Sequence, residues 1–123
     1  MRYPVLLTAL PLFVLFGGCT EFVQTGPAMP ARPAGHPVAV YYSEELPVTM
    51  QKDIAHDVGG KPLSAMPTGG KEIGRLDISG MGAWQHLVPK GQEKARELGG
   101  DAIVIGSLSY IDQVRFTVFR YGP

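Results

Sequence analysis

The sequence predicts a small α+β domain in which one main helix packs against an open sheet of about four strands. Two observations predict this class. Between Gly91 and Gly106, apolar residues first recur at helical spacing, then two glycines end the predicted helix, and a run of mostly β-branched residues predicts a strand. In two further segments apolar and polar residues alternate, which is typical of half-buried strands. We assign the folded domain to residues 38–123.

The main helix is predicted at about residues 89–98, because apolar residues recur there at three- and four-residue spacing. These residues are Trp84, Val88, Gly91, Ala95 and Leu98. Gly99 follows, where a residue with positive φ ends a helix at least cost. Pro89 either lies in the first turn or kinks a helix that begins at Ala83. The first interpretation is favoured, with residues 83–88 as a packed turn.

Four strands are predicted from apolar patterns. Val38–Tyr42 is rich in β-branched and aromatic residues, and the uncharged run Ala102–Ile105 is expected to be the central strand, covered on both faces. Lys71–Ser79 alternates, and so does a last strand at 114–118, which is expected to pair antiparallel with the central one. Val48–Val58 is compatible with a short helix, and prolines and glycines around it indicate turns.

Residues 1–18 have the organisation of a secretory signal peptide. A positive charge at Arg2 precedes an apolar run from Val5 to Phe16, which ends in Gly17-Gly18 before Cys19. The run is shorter than the ~20 residues that cross a bilayer as a helix. Pro11 also interrupts it. A permanent transmembrane anchor is therefore the less favoured interpretation.

Cys19 is the only cysteine, so no intramolecular disulfide can occupy it in an oxidising compartment. The stretch Leu15-Phe16-Gly17-Gly18-Cys19 resembles a bacterial lipobox, the signal for acylation of the cysteine and cleavage just before it. The resemblance implies cleavage between Gly18 and Cys19 and lipid attachment at Cys19. Several acyl chains, as this lipoprotein class carries, anchor a protein stably. The alternative is an ordinary signal peptide that leaves a free thiol.

The residue after the cysteine is thought to govern sorting in such lipoproteins, and Asp there retains them in the inner membrane. Here it is Thr20, which favours the periplasmic face of the outer membrane. Residues 19–37 are then assigned to the lipidated cysteine and a linker. Thr20–Pro37 contains prolines at positions 27, 30, 33 and 37 and no apolar period. We expect a semi-stiff tether that contributes nothing to the core.

The charge balance argues against partners that need an excess of one sign. The chain has 11 Lys and Arg and 11 Asp and Glu, and removal of residues 1–18 takes away only Arg2. The mature chain is therefore nearly neutral. We expect no nucleic-acid partner and no polybasic membrane contact.

No catalytic motif is found at a known spacing, so we predict that the protein is not an enzyme and has no cofactor. Asp53, His56 and Asp57 stand at i, i+3 and i+4 and share one face if Val48–Val58 is helical. That face could ligate a divalent metal. A solvated polar face is the favoured interpretation, and the three residues are kept as metal candidates.

Eight residues carry a resemblance to a known family. They are Ile73, Gly74, Ala95, Leu98, Gly99, Asp101, Ala102 and Ile103. They resemble a family of small bacterial proteins and envelope lipoproteins that includes the YbjQ-like proteins, and they are similar to the domain of the Rcs-pathway outer-membrane stress sensor. The resemblance covers about residues 71–121 and implies a fold rather than a catalytic motif. The stress sensor's disulfides cannot form in a chain with one cysteine.

Three classes of function are compatible with these observations. We favour a lipid-anchored, non-catalytic envelope protein that acts as a binding, sensing or structural module through a periplasmic or envelope protein partner. The alternative is a periplasmic lipoprotein that binds a small ligand or a divalent metal. The third class is a hydrolase whose motif is not recognisable.

Overall fold

The structure, a computed structural model, describes residues 19–110 and 112–122. They form one six-stranded sheet and two α-helices. The strands are β1 (Cys19–Gln24), β2 (Ala39–Tyr42), β3 (Lys61–Pro62), β4 (Lys71–Ser79), β5 (Ala102–Ser109) and β6 (Gln113–Arg120), and the helices are α1 (Val48–Val58) and α2 (Leu87–Glu97). The predicted signal peptide, including Gly18, lies outside the described residues.

The sheet is mixed, with strand order β1-β4-β6-β5-β2-β3. β4 is antiparallel to both β1 and β6, and β6 is antiparallel to β5. β2 is parallel to β5 and to β3. β4 and β5 therefore run in the same direction with β6 between them, and α2 is the crossover that connects them. The fold agrees with the predicted small α+β domain, but the prediction of about four strands was too low because it missed β1 and β3.

α2 packs its apolar side against the sheet. Its buried residues are Leu87, Val88, Gly91 and Ala95. Pro89 lies in the first turn, as predicted, where an amide N–H would have no helical acceptor. A Cβ at Gly91 would lie 2.6 Å from Cε2 of Phe116, so the absent side chain permits the close approach of helix and sheet. A 3₁₀ turn, Trp84–His86, leads into the helix.

The predicted helix stop at Gly99 is confirmed. Gly99 has φ +92°, its N–H donates to the Arg96 carbonyl at 3.1 Å, and the Gly100 N–H donates to the Ala95 carbonyl at 2.7 Å. These two bonds are those of a Schellman motif, which satisfies carbonyls that the last turn leaves without helical donors. The chain then enters β5 directly.

Both helices contribute to one core on the same face of the sheet. Ile54 of α1 and the buried residues of α2 pack there with the inward side chains of β4, β5 and β6, which include Leu76, Ile105 and Phe116. A smaller cluster lies on the other face and covers only the part nearest β2. Its members are Tyr41, Ala102, Val104, Met66, Phe119 and Tyr121.

Residues 19–37 belong to the fold, so the prediction of a semi-stiff tether outside the core is wrong. Residues 19–24 pair antiparallel with β4 along the whole of β1, and Phe22 packs against the main core. This strand precedes the first proline of the segment, Pro27, so the prolines do not prevent it from joining the sheet. The domain boundary predicted at residue 38 is wrong for the same reason.

The proline-rich part of the segment is fixed by hydrogen bonds to its backbone. Arg120 Nη1 donates to the Pro30 carbonyl at 2.9 Å, and Arg96 Nε donates to the His36 carbonyl at 2.7 Å. The Arg32 N–H donates to the Arg96 carbonyl at 2.9 Å. Proline removes backbone donors but leaves acceptors, and arginine side chains supply the missing donors here.

Candidate binding surface on the open sheet face

The face of β1, β4 and β6 that points away from the helices is open and forms a shallow groove of about 440 Å³. We call it the open-face groove. Its lining residues are Glu21, Val23, Arg75, Leu76, Asp77, Gly106, Ser107, Arg115, Phe116 and Thr117. Side chains alternate between the two faces of a strand, so the polar positions of β4 and β6 come together on this side.

One row of charges crosses the groove from strand to strand. Glu21 on β1 is the register partner of Asp77 on β4, and Asp77 is in turn the register partner of Arg115 on β6. Arg115 Nε donates to Asp77 Oδ2 at 3.1 Å, and Gln113 Nε2 donates to Asp77 Oδ1 at 2.8 Å. The Arg115 side chain is 64% exposed, so this ion pair contributes little to stability and leaves most of the guanidinium in contact with solvent.

Two charged side chains of the groove make no such contact. Within residues 19–110 and 112–122, the side chains of Glu21 and Arg75 form no hydrogen bond and no ion pair. Arg75 lies between Val23 and Thr117, its register partners on β1 and β6. Among the described residues, the groove thus presents the Glu21 carboxylate and the Arg75 guanidinium without a partner, next to the exposed Arg115–Asp77 ion pair.

A bulge shapes the side of the groove formed by β5. The register between β5 and β6 shifts between Ile105 and Ser107, and a Cβ at Gly106 would meet nothing within 4 Å. Bulges bend a strand and redirect its side chains, and they occur often beside functional sites. Ser107 then faces Arg115 and adds a hydroxyl to the groove.

Cys19, the predicted lipidation site, stands at the edge of this surface. It is the first residue of β1 and is exposed. Glu21 and Val23 line the groove, and alternation places Cys19 on their side of the strand. Its register partner on β4 is Ser79. A group attached to Cys19 would therefore leave the domain directly from the sheet edge.

The three metal candidates lie on the predicted helix α1, where the structure brings His56 and Asp57 together, while Asp53 and Asp57 also bind side chains outside the set. Asp53 Oδ2 accepts a hydrogen bond from the Tyr110 hydroxyl at 2.8 Å. His56 Nδ1 lies 2.7 Å from Asp57 Oδ1, and Gln85 Nε2 donates to Asp57 Oδ2 at 3.0 Å. No group of three or more His, Cys, Asp or Glu side chains suited to a metal is found among the described residues.

These contacts perturb the titration of the same groups. The hydrogen bond with Asp57 raises the pKa of His56, and the hydrogen bonds from His56 and Gln85 lower the pKa of Asp57. The hydrogen bond to Asp53 raises the pKa of Tyr110. The largest cause of each pKa shift is a hydrogen bond with a neighbouring side chain, as expected for polar groups on a solvated surface.

Sequence reasoning did not identify the open-face groove. The alternation of Arg75 and Asp77 on β4, and of Arg115 and Thr117 on β6, predicted polar faces for both strands. It did not predict that β6 lies next to β4, nor that β1 extends the same surface. The lining of the groove offers carboxylates, guanidinium groups and hydroxyls, which suit electrostatic and hydrogen-bonding contacts.

No helix within residues 19–110 and 112–122 is long and apolar enough to cross a membrane. Comparison of the chain with models of known protein families, with curated proteins and with solved structures finds no match.

Proposed function

We propose that this protein is a lipid-anchored, non-catalytic module of the bacterial envelope that binds a protein partner through the open-face groove. The proposal rests on one observation: the helices cover only one face of the sheet. Both helices pack on one face, while the other keeps a charged groove beside Cys19. The Gly18-Cys19 junction and the apolar segment before it support acylation at that residue.

The groove suits a partner that presents both charges and some apolar surface. Arg75 and Glu21 are available to ligand groups of opposite sign, and Val23, 61% exposed on the edge strand beside Arg75, offers an apolar contact. Exposed charges on complementary surfaces steer partners and set specificity in many transient interfaces. We place the partner at the periplasmic face of the outer membrane, because Thr20 follows the acylated cysteine.

Metabolic labelling with an acyl precursor tests the anchor. The wild-type protein should take up label and fractionate with membranes, whereas Cys19→Ala should do neither. Equal labelling of the two proteins, with both recovered in the soluble periplasmic fraction, would refute lipid attachment.

Photo-crosslinking in living cells tests the binding surface. A crosslinker in place of Arg115 lies in the groove, whereas one in place of Lys94, 40% exposed on α2, lies on the helical side. We expect one abundant adduct from position 115 and none from position 94. Adducts of equal yield from both positions, or turnover of a substrate by the purified protein, would contradict a binding module that acts through the groove.

A further inference from the structure

The end of the sheet that carries Cys19 also carries a highly exposed apolar side chain. Met81 is 91% exposed, the largest value among the large apolar residues described. It follows β4 in the loop Gly80–Ala83, whose sequence Gly-Met-Gly-Ala contains no charge. Such a side chain contributes nothing to the core of its own domain.

Strand pairing brings this loop close to Cys19. Cys19 is the register partner of Ser79, and Met81 follows Ser79 by two positions. Adjacent strands lie about 4.8 Å apart and each residue spans at most about 3.6 Å, so the Cα atoms of Cys19 and Met81 are within about 12 Å of each other. No linker separates the two, because β1 begins at Cys19 itself.

The neighbouring turn between β5 and β6 extends this surface. The Gly80 N–H donates to the Asp112 carbonyl at 3.0 Å, which joins the loop to the turn. Tyr110 in that turn is 44% exposed, but its hydroxyl donates to Asp53 of α1 and its ring lies against Trp84, so it belongs to the helical side of the sheet. Neither connection contains Lys or Arg, and the Asp112 carboxylate accepts a hydrogen bond from the Ser109 hydroxyl at 3.1 Å. The surface can therefore contact a membrane through apolar groups but not through positive charge.

We infer that Met81 inserts into a zwitterionic lipid surface beside the acyl anchor. The inference rests on the acylation of Cys19 proposed above. The acyl chains bring the sheet end to the interface, and an uncharged loop with an exposed apolar side chain gains free energy by burying that side chain there. The strands then stand on the membrane and the open-face groove faces sideways, accessible to a partner.

An environment-sensitive fluorophore at position 81 tests the inference. In the acylated protein the Cys19 sulfur is alkylated, so Met81→Cys supplies a single free thiol for labelling. Its exposure makes the substitution harmless to the fold. Lys71→Cys is the matched control, because Lys71 is exposed at the opposite end of the same strand. Both labelled proteins are reconstituted into phosphatidylcholine vesicles with and without brominated acyl chains.

We expect the label at position 81 to emit at shorter wavelength and to lose most of its emission in brominated vesicles, while the label at position 71 behaves as in water. If the acylated protein is vesicle-bound but both labels remain unquenched, the loop inference fails and the anchor stands. If the wild-type protein takes up no acyl precursor and does not float with vesicles, the anchor fails. Both inferences are then overturned.

Discussion

The Arg32 guanidinium and the Asp101 carboxylate, 69 residues apart in sequence, form a two-point ion pair in which Nε donates to Oδ1 and Nη2 to Oδ2, both at 2.9 Å. The Tyr121 N–H donates to Oδ2 at 2.7 Å, and His36 Nε2 lies 2.7 Å from Oδ1. Asp101, whose side chain is 13% exposed, thus joins the proline-rich segment to the start of β5 and the end of β6.

Replacement of Asp101 by alanine should lower the free energy of unfolding by about 2–4 kcal/mol, because it removes the carboxylate that accepts from a largely buried guanidinium and from a backbone N–H. Arg32 then keeps one acceptor, the Tyr121 carbonyl, at 3.0 Å. Urea denaturation measures the change. Trp84, the only tryptophan and 2% exposed, reports unfolding by its fluorescence.

Glu97→Ala is the control for that experiment. Glu97 and Lys94 form an ion pair of 3.6 Å, but the Glu97 side chain is 60% exposed. Its removal should change stability by less than about 0.5 kcal/mol. Similar losses from Asp101→Ala and Glu97→Ala would show that the proline-rich segment is not held by the Asp101 carboxylate.

The contribution of Asp101 should depend on pH. Burial raises the pKa of this carboxyl, but hydrogen bonds from Arg32, the Tyr121 N–H and His36 outweigh burial, and the resulting pKa lies below its ordinary value. The folded state therefore binds fewer protons than the unfolded state. The stabilisation is fully present above the unfolded pKa of about 3.9 and is lost as pH falls through the folded pKa.

Denaturation of the wild-type protein and of Asp101→Asn at a series of pH values checks this prediction. The difference in free energy of unfolding between them should shrink as the pH falls below about 4. Subtraction of the variant removes the contribution of other carboxyl groups, including Asp57. A difference that grows below about pH 4 would contradict the prediction.

Local pattern predicted most elements of this fold. Apolar and polar residues alternate in Lys71–Ser79, and the structure has β4 at these residues. The helical apolar period that ends at Leu98 belongs to α2, Leu87–Glu97. Each of these elements buries one side against the other. Val48–Val58, predicted as a short helix, is α1. These elements were predictable because burial on one side imposes a period on the sequence.

Pairing between distant segments was not predictable in this way. Among the described residues β1 is an edge strand that pairs only with β4, and five of its six residues are exposed, so it has no apolar period to detect. The Asp101 carboxylate has partners 69, 65 and 20 residues away, at separations that no local motif encodes. The open-face groove depends on the same long-range pairings.

Of the described glycines with positive φ, Gly99 should tolerate substitution least, and Gly69 is its matched control. A Cβ there would lie 2.6 Å from the Pro30 carbonyl oxygen and 2.9 Å from Cβ of Met29. Gly69 has nearly the same φ, +93° against +92°, but a Cβ there would meet nothing within 4 Å.

Gly69→Ala should therefore cost only the backbone term, about 1–2 kcal/mol, whereas Gly99→Ala should cost more, because the proline-rich segment must also move. Thermal unfolding followed by circular dichroism measures both. Equal shifts in Tm would mean that contact with Met29 and Pro30 adds no cost to a side chain at position 99.

The last prediction concerns β1, whose two faces give a matched pair of substitutions. Phe22 packs against the main core and lies against Gly74, where any Cβ would overlap the Phe22 ring. Val23, the next residue, is 61% exposed. Phe22→Ala should lower the free energy of unfolding by about 2 kcal/mol, below the loss for a fully buried phenylalanine because the ring is only half-buried. Val23→Ala should change it by less than about 0.5 kcal/mol. Urea denaturation distinguishes the two faces of the strand, and a free tether would make both substitutions silent.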